Sequence, residues 1–236
     1  MFIATLKEPK KDTAHLQQDS KVIGRIFGNH HAKPSEMRLL QTLREQEEKG
    51  HVQPKLWRRS LEQYGAGLEF RGRGVPGIMG FTQYLEFMCK NSADPLRILD
   101  VGVGSGAQWV DFLKKFNVEF HATAFNPALI DEPAIRNKTV KLAPHELSSL
   151  FNRGMFDLVV SYHGTELVEK EALENIMFIL KNAGEAIVMG GNGRMPGYWM
   201  NEPELGTYTK FFRVLGTFKA RDFSGEWTYH LRKNSG

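Results

Sequence analysis

One cysteine, Cys89, stands in 236 residues. That excludes an internal disulfide and a zinc site built on cysteine pairs. It also fits a reducing compartment, so a cytoplasmic location is expected. Cys89 itself reads as a small hydrophobe packed on a helix. Long apolar runs are missing as well: no stretch approaches the ~20 residues that a membrane-crossing helix needs, which argues against a membrane partner. Met1 to Pro9 holds no apolar core of signal-peptide length. The eight histidines are scattered, and the adjacent pair His30-His31 points in different directions on any regular element. No metal site is therefore expected. Excess charge is scarce too. The net charge of +4 lies entirely in residues 1–96, where 15 Lys and Arg face 11 Asp and Glu, while residues 97–236 balance at 16 against 16. So mild a bias suits a solvated surface better than a nucleic-acid interface.

What the chain does have is glycine at chosen places. Arg97-Ile98-Leu99-Asp100-Val101 is a short apolar run with β-branched residues that closes on an acid. Gly102, Gly104 and Gly106 follow at alternate positions, and then an amphipathic stretch from Ala107 to Phe116. That order reads as strand, tight turn and helix. Glycine lets a ligand lie directly against main chain, and the helix start behind it offers N–H groups and a positive dipole end. Gly102, Gly104 and Ala107 also satisfy the looser dinucleotide fingerprint, which expects an acid about 20 residues on. The next strand ends instead in Ala124-Phe125-Asn126-Pro127, and no acid comes before Asp131.

The spacing Asp100-x-Gly102-x-Gly104-x-Gly106 resembles the first motif of the class I S-adenosylmethionine-dependent methyltransferases. In that family the acid ends strand one and the turn after it wraps the methionine part of the cofactor. The order of the later elements extends the resemblance over residues 97–236. Strands are predicted at Val118 to Phe125, Thr139 to Ala143, Phe156 to Tyr162 and Ala186 to Met189. Helical stretches alternate with them, including Glu169 to Lys181 with Ala172, Ile176, Ile179 and Leu180 on one face. A further helix is predicted from Asn201 through Leu205, Tyr208, Phe212 and Leu215 to Gly216. Two strands, Thr217 to Phe223 and Glu226 to Lys233, close the chain around a Ser224-Gly225 turn. The fold class is therefore α/β: a doubly wound, mostly parallel seven-stranded sheet with an antiparallel closing strand.

Residues 1–96 read as an N-terminal helical extension. A polar arm is followed by helices from Ser35 to Lys49 and from Pro54 to Tyr64. Six glycines and a proline crowd residues 65–80, which predicts an irregular loop. Phe81, Tyr84, Leu85 and Met88 then mark a helix that leads into the first core strand. By the resemblance, this extension is a lid over the cofactor and the substrate pocket.

The resemblance implies S-adenosylmethionine as cofactor, with Asp100, Gly102, Val103, Gly104, Gly106, Asn126, His145 and Ser161 as its contacts. Two positions depart from the family pattern. Asn126 stands where an acid usually accepts both ribose hydroxyls, and an amide lacks the charge that strengthens such bonds. Ala143-Pro144 stands where an acid often meets the adenine amine, and Pro144 has no N–H to give. His163, beside Tyr162 after the fourth strand, is the candidate base, and capping a local loop is its plain alternative. Tyr198, Trp199, Met200 and Trp109 either line an apolar pocket or fill the core. The implied function is methyl transfer to a small-molecule acceptor. RNA or protein methylation through the basic extension is one alternative. A non-catalytic binding or scaffold protein on a degenerate methyltransferase fold is the other.

Overall fold

The computed structural model describes residues 45, 49, 61, 70, 77–162, 169–190, 211–219 and 227–235, with 169–170, 189–190, 218–219 and 227 in backbone only. Strand β1 (Leu96–Val101) is the third strand of a seven-stranded sheet, next to the central one. Around it run β2 (Val118–Ala124), β3 (Thr139–Lys141), β4 (Phe156–Tyr162), β5 (Leu180–Gly190), β6 (Phe212–Lys219) and β7 (Trp227–Lys233), in the order β3-β2-β1-β4-β5-β7-β6. The first five strands are mutually parallel. β7 runs antiparallel to both β5 and β6, so it is the one reversed strand. Strand number and sense are as predicted: seven strands, mostly parallel, with one antiparallel.

Side-chain alternation divides β1 between two cores, because successive residues of a strand face opposite ways. Ile98 joins Phe120, Leu158, Val160 and Ile187 on one face, beneath Phe81 and Leu85 of helix α1 (Phe81–Asn91) and Phe112 of helix α2 (Val110–Lys115). Leu99 and Val101 join Val159, Val188, Tyr229 and Leu231 on the other face. That second core also receives Leu173, Ile176 and Ile179 of the helix Glu169–Ile179. Both faces are covered, as a parallel sheet requires.

Three sequence expectations need correction. The helix from Glu169 ends at Ile179 rather than Lys181, because Leu180 already pairs with Phe156 as the start of β5. The register then shifts, and Ala183 takes a left-handed φ of 61° before Gly184. A Cβ on Gly184 would lie 2.9 Å from the Lys181 carbonyl oxygen, so the tight bend needs glycine there. Phe212 and Leu215, expected on a helix, lie in β6, where Phe212 is buried and Arg213 exposed in strand alternation. Their spacing of three suits a helix face by coincidence; pairing with β7 decides the outcome. The strand predicted from Thr217 therefore starts five residues earlier, at Phe212.

Helix α1 is held to the sheet by a buried polar cluster. Glu185 of β5 accepts the Tyr84 hydroxyl on Oε2, with His230 Nε2 of β7 at 2.6 Å from the same oxygen. Arg232 Nε donates to Glu185 Oε1 at 3.0 Å. The Phe70 ring stacks on Tyr84 at 4.2 Å, and Phe70 forms a bridge with Met79. Burial and the Glu185 charge push the Tyr84 hydroxyl well above its usual range. Burial also opposes ionisation of Glu185, but the hydrogen bonds and charges of His230, Tyr84 and Arg232 outweigh it and hold that carboxyl below its usual range. Cys89 sits half-buried in α1, its thiol pushed up to about 11 chiefly by burial, as a packing role expects. The predicted arm over residues 1–20 and the helix from Asn201 to Tyr208 lie outside the described residues, as does the Ser224-Gly225 turn.

Candidate cofactor site

Ligands of open parallel sheets lie beyond the carboxyl ends of the strands. At that end of β1, Asp100 is fully buried, and its Oδ2 accepts the Trp109 indole N–H at 2.6 Å. Trp109 is itself fully buried, so it fills the core and pins the helical stretch after the turn to the end of β1. Ser161, at the end of β4, donates its hydroxyl to the Val101 carbonyl at 3.2 Å and ties the two central strands together.

Between Val101 and Ala107 the chain passes through three left-handed glycines, with φ of 77° at Gly102, 60° at Gly104 and 68° at Gly106. Residues with a Cβ adopt such angles at a cost of roughly 1–2 kcal/mol each, which explains glycine at alternate positions. Gly106 has a second reason. A Cβ there would fall 2.3 Å from Ile135 Cγ2, so helix α3 (Pro133–Arg136) packs directly on this backbone. The first amides of the turn are spent within the protein. Gly102 and Val103 both donate to the Thr123 carbonyl, at 3.1 and 3.0 Å, and Gly106 donates to Val103 at 3.1 Å. Among the described residues none accepts the N–H of Gly104 or Ser105. Two such amides, in a turn whose glycines alternate with Val103 and Ser105, are of a kind that fits an anionic or carboxylate-bearing ligand.

The neighbouring strand ends are furnished differently. Asn126, after β2, accepts the Ala128 N–H on Oδ1 at 3.2 Å and so caps the 3-10 turn Pro127–Leu129. After β3, the 3-10 turn Pro144–Glu146 buries His145 and Glu146, and Glu146 Oε2 accepts the Ala143 N–H at 2.8 Å. Tyr162 ends β4 half-buried against the same core as Trp109. The structure thus brings Asp100, the glycine turn, Asn126, His145, Ser161 and Tyr162 to the strand ends on one side of the sheet. His163 and the stretch holding Tyr198, Trp199 and Met200 lie outside the described residues. Sequence reasoning passed over Thr123, whose carbonyl and Oγ1 hold the base of the turn. A hydroxyl residue one position before the end of β2 was the only local signal.

No family model and no curated protein matches the sequence. Solved structures do match the fold. The [4+2]-cyclase SpnF aligns with 12% identity over 71% of this chain and 86% of its own, at a TM-score of 0.51. Phosphoethanolamine N-methyltransferase 2 of Haemonchus contortus, solved with phosphomonomethylethanolamine and S-adenosylhomocysteine, aligns with 13% identity over 66% of this chain and 53% of its own, at 0.50. This is the class I methyltransferase fold. At such identities the likeness carries architecture alone, and the two names show why: one is a cyclase and the other an N-methyltransferase. The chemistry of a methyltransferase fold has to be argued from its site. Among the described residues no helix is long and apolar enough to cross a membrane, and no group of three or more His, Cys, Asp or Glu could hold a metal ion.

Proposed function

We propose that this chain is an S-adenosylmethionine-dependent methyltransferase acting on a small-molecule acceptor. The observation that carries the reading is the left-handed glycine turn at the end of β1, with the Gly104 and Ser105 amides at its tip. In this reading Gly102, Val103, Gly104 and Gly106 line the methionine part of the cofactor. Asp100 supports the turn through Trp109. When bound, S-adenosylmethionine supplies a methyl group on a sulfonium sulfur already activated for displacement. The protein's task is then to hold the acceptor in line and to keep water out. An oxygen or nitrogen acceptor also needs its proton removed, and His163 with Tyr162 takes that role here. Residues 1–96 form the lid, with α1 as its last part, and residues 97–236 form the catalytic core. The compartment proposed is the cytoplasm.

Asn126 favours a second reading, a binding protein that has kept the fold and lost catalysis, because its amide oxygen is occupied by Ala128. Calorimetry with S-adenosylmethionine and S-adenosylhomocysteine separates the two. The enzyme reading expects both to bind, followed by methyl transfer when acceptor panels are screened. Absence of heat from either ligand at millimolar concentration defeats it.

A further inference from the structure

Each strand end that would meet the nucleoside half of the ligand has its acceptor turned onto the protein's own main chain. The Asn126 carbonyl oxygen is held by the Ala128 N–H. An amide is planar, so this fixes its two N–H donors on the opposite side of the group. The position can therefore offer hydrogen bonds to a hydroxyl but no charge. On the adjacent strand end, a Glu146 oxygen is likewise held by the Ala143 N–H, inside a buried turn. Pro144 contributes no donor. The glycine turn is the reverse case, because no described residue accepts its Gly104 and Ser105 amides.

We infer that the site recognises its ligand through the α-amino-acid half and is permissive toward the ribose. The ligand class is then a 5′-thio-linked nucleosyl amino acid whose ribose hydroxyls are dispensable, and Asn126 is the residue that sets this tolerance. The inference rests on the reading under Proposed function that an adenosyl amino acid occupies the turn.

The test is titration calorimetry on the full chain with four probes: S-adenosylhomocysteine, its 2′-deoxy and 3′-deoxy analogues, and 5′-methylthioadenosine, which lacks the amino acid. A neutral hydrogen bond is worth little net and a charge-assisted one about twice as much, so removing either hydroxyl should change Kd by less than about threefold. Loss of the amino acid should weaken binding by about a hundredfold or more, since the charge-assisted bonds go with it. Asn126→Asp keeps the helix cap, because aspartate caps as well as asparagine, and it adds the missing charge. In that variant S-adenosylhomocysteine should bind about tenfold tighter while the deoxy analogues, each left with one hydroxyl, gain clearly less, which opens a selectivity the native protein lacks. Thermal unfolding checks that the variant is folded. A tenfold loss on removing a hydroxyl from the native protein's ligand would overturn the inference, and so would unchanged ranking in Asn126→Asp. Methylthioadenosine binding as tightly as S-adenosylhomocysteine overturns it as well. These results leave the methyltransferase reading standing, whereas failure of S-adenosylhomocysteine itself to bind removes both.

Discussion

Two polar regions lie on different strands of the same sheet. At the carboxyl end of β1, the Gly102–Gly106 turn holds the Gly104 and Ser105 amides, which no described residue accepts. In the middle of β5, Tyr84, His230 and Arg232 converge on Glu185, so that both carboxylate oxygens are occupied by protein donors. Both regions bring hydrogen-bonding groups out of water, and they differ in what completes them. The Glu185 cluster is finished by the chain itself, joining α1 to β5 and β7, so its product is stability. Under the proposed function the turn is finished by the cofactor, so its product is binding. A buried polar group is costly unless it is satisfied, and the identity of the satisfying partner tells a structural pin from a site.

Perturbing each region should keep that division sharp. The largest effect is expected from Gly106→Val, which belongs to the turn but acts through packing. Its side chain meets Ile135 where even a Cβ lies at 2.3 Å, in a left-handed conformation. Overpacking plus backbone strain should cost about 4 kcal/mol, read as a shift of the urea midpoint. Glu185→Ala comes next. It strands His230 and Arg232, but Arg232 is partly exposed, so about 3 kcal/mol is expected, below what a wholly buried network would lose. Ligand affinity per folded molecule should stay as it was; a large loss would mean that the pin shapes the site. Gly104→Asp should do the opposite, weakening S-adenosylhomocysteine by about a hundredfold, near 2.7 kcal/mol, while the left-handed φ costs only about 1–2 kcal/mol of stability. Tyr84→Phe is the mildest. Removing one bond to a charged acceptor should cost about 1.5 kcal/mol.

The pin also predicts a pH profile. Glu185 is held below its usual range in the folded protein, so its contribution is present above the unfolded value of about 4.3 and is lost as pH falls through the folded one. Tyr84 is held above its usual range, so its contribution is present below pH of about 10 and is lost as pH rises further. Stability should therefore fall at both extremes. Chemical denaturation across pH should show the alkaline limb flattened in Tyr84→Phe, and an unchanged limb would count against the cluster.

How much could be read beforehand follows the range of the interactions. The strands and the glycine turn were legible because alternation, β-branched residues and glycine spacing are local signals. The Asn126 cap was half-legible, since Asn followed by Pro127 is a helix-start pattern, and the structure adds which atom is used. The Glu185 cluster left no local trace. Tyr84, Glu185 and His230 are far apart in the chain, and Tyr84 read only as part of an apolar helix face. Phe212 and Leu215 were misread because four apolar residues at helical spacing outweighed a strand whose partner, β7, comes later in the chain.

That late partner has a consequence for how the protein is made. β7 is seated between β5 and β6, and each of those strands takes its antiparallel ladder from it. During translation β6 leaves the ribosome before the strand that will seat it, and one flank of β5 waits as well. Residues 227–233 act as a zip that closes only after the other six strands have been made, and until then the nascent sheet has a raw margin that chaperones or neighbouring chains can reach.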